Sequence, residues 1–184
     1  MALSLRRKLG GGSGGSSGDG SVSVDVVIKQ DDLRDLVRAI NRHGDAKAVR
    51  RELSKGLREA VKPLVPKARQ AVLSQGTSGR GTTGLRRAMA RSVQVKVDLG
   101  LRSERIGVRI RLDPTKVKTR YSKGMPAMYE GVKPWRHPSF GDREKWVQQE
   151  PRGFLTEVVT AGRPAVMRDI EKTMQDIGKR IDKG

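Results

Sequence analysis

Val22, Val24, Val26 and Ile28 alternate with Ser23, Asp25 and Val27, the period-2 pattern of a half-buried strand. Asp31 and Asp32 then offer an N-cap to a short amphipathic helix. Its Leu33, Leu36, Val37 and Ile40 recur at i, i+3, i+4 and i+7, and it closes near Gly44. A longer helical stripe follows Asp45: Val49, Leu53, Leu57, Ala60, Val61, Leu64, Val65, Ala68 and Val72. Pro63 and Pro66 inside it predict a kink or break, because proline lacks the amide donor and crowds the preceding turn. Residues 85–91 read as a basic helical turn. Val93, Val95, Val97 and Leu99 alternate, as do Ile106, Val108, Ile110 and Leu112, and the short connection 100–105 suits an antiparallel hairpin. From Phe154 the pattern is helical again, with Val166, Ile170, Met174, Ile177 and Ile181 at spacings of four, four, three and four. Gly162 and Pro164 predict a bend there, or two helices meeting. The order predicts an α+β fold: a small, mostly antiparallel sheet with a central hairpin packed against helices.

Residues 10–21 are almost entirely Gly and Ser, the composition of a flexible tether, and residues 1–9 form a short basic arm with Arg6, Arg7 and Lys8. Residues 1–21 therefore read as a Gly/Ser-rich N-terminal arm, either solvated or docked on a neighbouring subunit or nucleic acid. Residues 22–184 read as a single domain. Glycine follows the arm where a secretory apolar stretch would be needed, and no run approaches the roughly 18 apolar residues of a membrane span. A soluble protein made in the cytoplasm, with no membrane partner, is expected.

Composition narrows the chemistry. The 184 residues hold 39 Lys+Arg against 20 Asp+Glu, a net charge of +19, with no Cys and two His. Lack of Cys excludes disulfides, thiolate metal sites, iron–sulfur clusters and cysteine nucleophiles. His43 and His137 are too few and too far apart for a structural zinc site, so no cofactor is expected. The charge implies an anionic partner, nucleic acid or an acidic protein surface. Arg105, Arg109, Arg111, Lys116, Lys118, Arg120 and Lys123, interrupted by one acid, Asp113, are the candidate DNA-facing residues. Such cations neutralise phosphates without reading sequence. With 35% hydrophobic residues and 22 glycines, a lean core is expected. Association with copies of the chain, burying roughly 2,000 Å² or more per interface, would supply the missing burial. The strand at 22–28, apart from the main hairpin, is the candidate for pairing between subunits.

All six aromatic residues fall in one stretch: Tyr121, Tyr129, Trp135, Phe140, Trp146 and Phe154. Rings this scarce are expected to serve mostly in the core, with Trp135 and Phe140 anchoring an irregular turn around Arg136, His137, Pro138 and Gly141. The run Tyr129-Glu130-Gly131, then Trp135-Arg136-His137-Pro138-Ser139-Phe140-Gly141, then Trp146-Val147-Gln148-Gln149 and Phe154 resembles the tail-component (neck, tail-completion or head–tail joining) family of long-tailed bacteriophages. Those proteins carry an Arg-His-Pro-aromatic-Gly turn, a Trp-Val-x-Gln segment and an aromatic opening a C-terminal helix. The resemblance implies a non-enzymatic virion component at the head–tail junction, assembled in the host cytoplasm as a homo-oligomeric ring, often hexameric, around the DNA path. Its implied partners are neighbouring neck and tail proteins (stopper or connector, terminator, tail tube), with non-specific contact to double-stranded DNA. Tyr129, Trp135, Arg136, His137, Pro138, Phe140, Gly141, Trp146, Gln149 and Phe154 would form the structural turn or the assembly surface. Tail-completion and tail-terminator roles share an α+β build and both stay open.

The alternative class is a sequence-nonspecific nucleic-acid-binding protein. Single-strand binders interleave exposed rings with cations, whereas these rings sit with Pro and Gly in a turn. Catalysis fits poorly. Glu130, Asp142, Glu144 or Ser139 can be drawn beside His137, but no third orienting group or Gly-x-Ser-x-Gly elbow accompanies them. Pro138 forces the His137 backbone to be extended, as befits a turn residue. Gly79-Arg80-Gly81 lacks the Gly-Lys-[Ser/Thr] ending of a phosphate loop.

Overall fold

The computed structural model describes residues 7–9, 22–26, 30–74, 84–103, 106–117, 125–131, 134–139 and 142–183. Strands β1 (Arg7–Leu9) and β2 (Val22–Val26) precede helices α1 (Gln30–Arg42), α2 (Ala46–Val61), α3 (Leu64–Leu73) and α4 (Leu85–Ser92). Strands β3 (Val93–Asp98) and β4 (Gly107–Leu112) follow, then helix α5 (Met125–Glu130), strands β5 (Trp135–Ser139) and β6 (Asp142–Gln149), and helix α6 (Phe154–Asp182). The fold is α+β. A four-stranded antiparallel sheet in the order β1-β2-β4-β3 packs one face on helices, and β5 and β6 form a separate two-stranded ribbon.

The two alternating valine-rich segments register as the pattern requires. Val95 faces Ile110 and Val97 faces Val108 on the helix side, while Gln94 pairs with Arg111 and Lys96 with Arg109 on the other. The segment beginning at Val22 departs from expectation. It is not set apart for pairing between subunits, because β2 lies inside the sheet with Val24 opposite Ile110 and Arg7–Leu9 covering its other side. The reason is burial: Val24 and Val26 are 1% and 3% exposed, on the face that meets the helices. The basic arm thus supplies the outer strand, and the sheet edges are β1 and β3.

Helix α1 buries Leu33, Val37 and Ile40, the residues its periodicity selects. It starts at Gln30, so Asp31 and Asp32 sit in the first turn rather than ahead of it, where carboxylates suit the helix dipole. The predicted break occurs at Lys62–Pro63, between α2 and α3. Pro66 breaks nothing: it falls in the first turn of α3, where amides have no intrahelical partner to lose. Gly162 and Pro164 do not divide the C-terminal segment either, and α6 runs unbroken for 29 residues. Its buried stripe of Val159, Val166, Ile170 and Ile177 outweighs one lost backbone bond. Gly162 admits the Leu64 side chain from α3, and Gly56 on α2 admits Thr173 from α6; a Cβ at either glycine would overlap that neighbour. Arg180 and Glu52 pair across the α2–α6 contact.

The core is aliphatic, and its members include Leu33, Leu53, Leu57, Ile110, Leu112, Leu155 and Ile170. Only one described ring, Phe154, is fully buried. Tyr129 and Trp135 are half-buried and Trp146 is 53% exposed, which corrects the expectation of an aromatic core. Leucine, isoleucine and valine from the sheet and the helices fill the described interior without them. Phe140 and Tyr121 lie outside the described residues.

A stapled ribbon and two cationic surfaces

Helix α6 begins at Phe154 after Pro151-Arg152-Gly153, with no Ser, Thr, Asp or Asn at its N-cap. Gly153 occupies that position in the left-handed region, φ 55°, where only glycine sits without strain, and it offers no capping side chain. The cap comes from elsewhere. Glu130, fully buried at the end of α5, accepts the Leu155 amide at Oε2 (2.9 Å) and both the Thr156 amide (3.0 Å) and hydroxyl (2.6 Å) at Oε1. Beside it, the Tyr129 carbonyl accepts the amides of Arg152 (2.8 Å) and Gly153 (3.4 Å). The chain entering the ribbon at residue 131 and the chain leaving it at 152 are therefore fastened together.

Above this staple β5 and β6 pair antiparallel, Trp135 opposite Gln149, Arg136 opposite Gln148, His137 opposite Val147 and Pro138 opposite Trp146. The Arg-His-Pro run thus lies in a strand, not in the irregular turn expected of it. Two residues, Phe140 and Gly141, join the strands and fall outside the described set, and the register shifts at Pro138/Ser139. Pairing divides the ribbon into faces. Trp135, Val147 and Gln149 share the half-buried face, and Trp135 meets Tyr129 edge-on with ring centroids 5.7 Å apart. Arg136, Pro138, Trp146 and Gln148 share the exposed face. No ribbon side chain that is described is buried, and the two strands pack chiefly on each other. Burial pushes the Tyr129 phenol above its usual range, against the opposing pull of Arg86 and Arg152.

The cations proposed for DNA are dispersed in their fates. Arg109 pairs with Asp98 at 3.5 Å and Arg111 with Asp113 at 3.3 Å, both guanidiniums being largely covered. Lys116 donates to the Gln94 side chain at 3.3 Å. Arg105, Lys118, Arg120 and Lys123 lie outside the described residues. Asp113 is itself well held: Thr115 donates its hydroxyl (2.6 Å) and amide (3.1 Å), and Gln94 its side-chain amide (2.9 Å). The Thr115 hydroxyl is the largest influence lowering its carboxyl below the ordinary value. Burial opposes it, and the Thr115 amide, Gln94 and the Arg111 charge assist.

A second cationic surface was not singled out in the sequence. On α2, Lys47, Arg50, Arg51, Ser54 and Arg58 line an open cleft of about 590 Å³ against residues 97–100. The Arg50 guanidinium donates to the Leu99 carbonyl at 2.6 Å. Counting charge element by element, rather than along the stretch nearest the hairpin, would have exposed it. The signal for Glu130 was the missing cap before Phe154, since buried helix amides need an acceptor.

Among the described residues, no helix is long and apolar enough to cross a membrane, and no three His, Asp or Glu side chains gather closely enough to hold a metal ion. The chain matches no protein-family model, no curated protein and no solved structure at a significant level.

Proposed function

We propose that this chain is a structural virion protein of the bacteriophage head–tail junction, a neck, tail-completion or tail-terminator component. In this reading it forms a homo-oligomeric ring around the DNA path and joins the tail tube to the head connector. The observation that carries it is the ribbon. A two-stranded hairpin is marginal in water by itself, yet this one is fastened at its base and presents Trp146 and Pro138 on an outward face. Exposed tryptophan on a rigid projection is the chemistry of an assembly contact, because ring-bearing anchors dominate association energies. The Trp-Arg-His-Pro and Trp-Val-Gln-Gln segments that carry the phage resemblance are the two strands of this ribbon. The role asked of the ribbon is binding, and Glu130, the buried acid nearest the motif, is engaged in capping α6.

Native mass spectrometry of the full chain tests the reading. A discrete closed oligomer, six-fold in the simplest case, that loses population when Trp146 is replaced by Ala supports it. A particle monomeric at every concentration overturns it. The alternative, a sequence-nonspecific nucleic-acid-binding protein, draws its support from the cationic cleft on α2. It expects a monomer whose duplex affinity falls steeply with salt.

A further inference from the structure

The net charge of +19 is unevenly distributed. Helix α1 carries three acids and three arginines, and α6 five acids and five bases. Residues 46–92, spanning α2, α3 and α4, hold twelve Lys and Arg against two Glu, a surplus of ten. Over half of the excess charge thus sits on these three helices and the segments joining them. Two of these arginines reach backbone carbonyls, which fix a guanidinium without cancelling its charge: Arg50 on Leu99 and Arg69 on Val93. The sheet cations Arg109 and Arg111 face carboxylates instead.

We infer that the cleft beside α2 binds the phosphate backbone of double-stranded DNA. Lys47, Arg51 and Arg58 are exposed and recur at spacings of four and seven, so they lie on one side of the helix. At 1.5 Å per residue they span about 16 Å, the axial length of about five phosphates on one strand. Arg50 completes the row from a fixed position. Arginine predominates, and its planar fork suits phosphate oxygens better than a lysine point charge. Among the described lining residues the one acid, Asp98, already accepts the Gly100 amide (3.0 Å) and the Ser103 hydroxyl (3.0 Å) and faces Arg109. No aromatic ring lines the cleft among the described residues, because every described ring belongs to the ribbon or its base. A duplex backbone therefore fits better than a single strand, which would call for stacking platforms. An acidic protein would want an apolar anchor point at the centre of its contact. Among the described residues the apolar lining is Val97 and Leu99, both already packed in the protomer.

This deepens the duplex contact of the proposed function by placing it on α2, and it holds for a ring or a monomer. The test is a fluorescence-anisotropy titration of the full chain with a labelled duplex of about 30 base pairs, between about 50 and 200 mM salt. Two charge-matched variants are compared: Lys47→Gln/Arg51→Gln/Arg58→Gln on the cleft, and Arg168→Gln/Lys172→Gln/Lys179→Gln on exposed positions of α6. The cleft variant should bind at least tenfold more weakly, with a salt slope shallower by about three, at roughly 0.9 for each phosphate no longer neutralised. The α6 variant should stay within about twofold of the native chain. Equal weakening by both variants would mean attraction by net charge alone, and a chain that takes up polyglutamate yet leaves the duplex unbound would equally sink the inference. Native mass spectrometry on the same samples reads assembly separately, so a failed ring and a failed DNA site give different results.

Discussion

A carboxylate removed wholly from water must recover its lost hydration from donors fixed in the protein. Three donors at the start of α6 do this for Glu130, and the helix dipole adds to their effect. Replacing it with Ala orphans two backbone amides in a covered site, so Glu130→Ala should cost about 2–4 kcal/mol in urea unfolding. Glu130→Gln keeps one acceptor and should cost about half as much. For Asp113 the direction of the pH dependence follows from its contacts. Its folded carboxyl titrates below the ordinary 3.8, so the stability it contributes is present above that value and is lost as pH falls through the folded one. Asp113→Asn should therefore destabilise by about 1–2 kcal/mol at neutral pH. The gap between variant and native chain should close below about pH 3.8 when both are melted across an acid series. The Asp113 turn is local, Thr115 lying two positions on in an Asp-Pro-Thr run, whereas the missing cap before Phe154 signalled only the need for an acceptor and not its source, Glu130, which lies 26 positions from Thr156.

Elements were far more legible than their partners. Period-2 and helical spacing located β2, β3, β4, α1 and α2, because one face of each is buried and the alternation records that burial directly. The ribbon strands left no such record: with one face exposed and the other only half-buried, their side chains carry no apolar alternation to read. Proline misled at Pro164, where tertiary packing of a 29-residue helix overrode a local breaker. Glycine had a packing meaning that the sequence could not supply. Gly56 lies where α2 crosses α6, against the stiff, β-branched Thr173. Alanine there would gain up to about 1 kcal/mol of helix propensity yet force the helices apart, at about 1–3 kcal/mol. Gly56→Ala should thus lower the melting temperature, and adding Thr173→Ala should restore it by removing the methyl that the new Cβ meets. A single variant already as stable as the native chain would show that the crossing has slack.

Considered whole, the molecule separates its tasks: an aliphatic core under the sheet, excess charge along α2–α4, and a ribbon that holds or adjoins the four described rings. The described core closes within one protomer, so in the proposed assembly the exposed Trp146 of the ribbon is the candidate anchor. Trp146 is 53% exposed and contributes little to the protomer's own stability, so Trp146→Ala should leave its unfolding within about 0.5 kcal/mol of native. If the indole seats in a neighbouring copy, its loss should cost about 2 kcal/mol or more at each interface, roughly a thirtyfold weakening. A closed ring multiplies that loss over every interface, so at fixed concentration the population should collapse towards monomer rather than thin gradually. Sedimentation velocity on native and variant chains reads this directly. Rings of equal abundance in both would place the interface away from the ribbon, and a variant that melts early would return Trp146 to the fold of its own protomer.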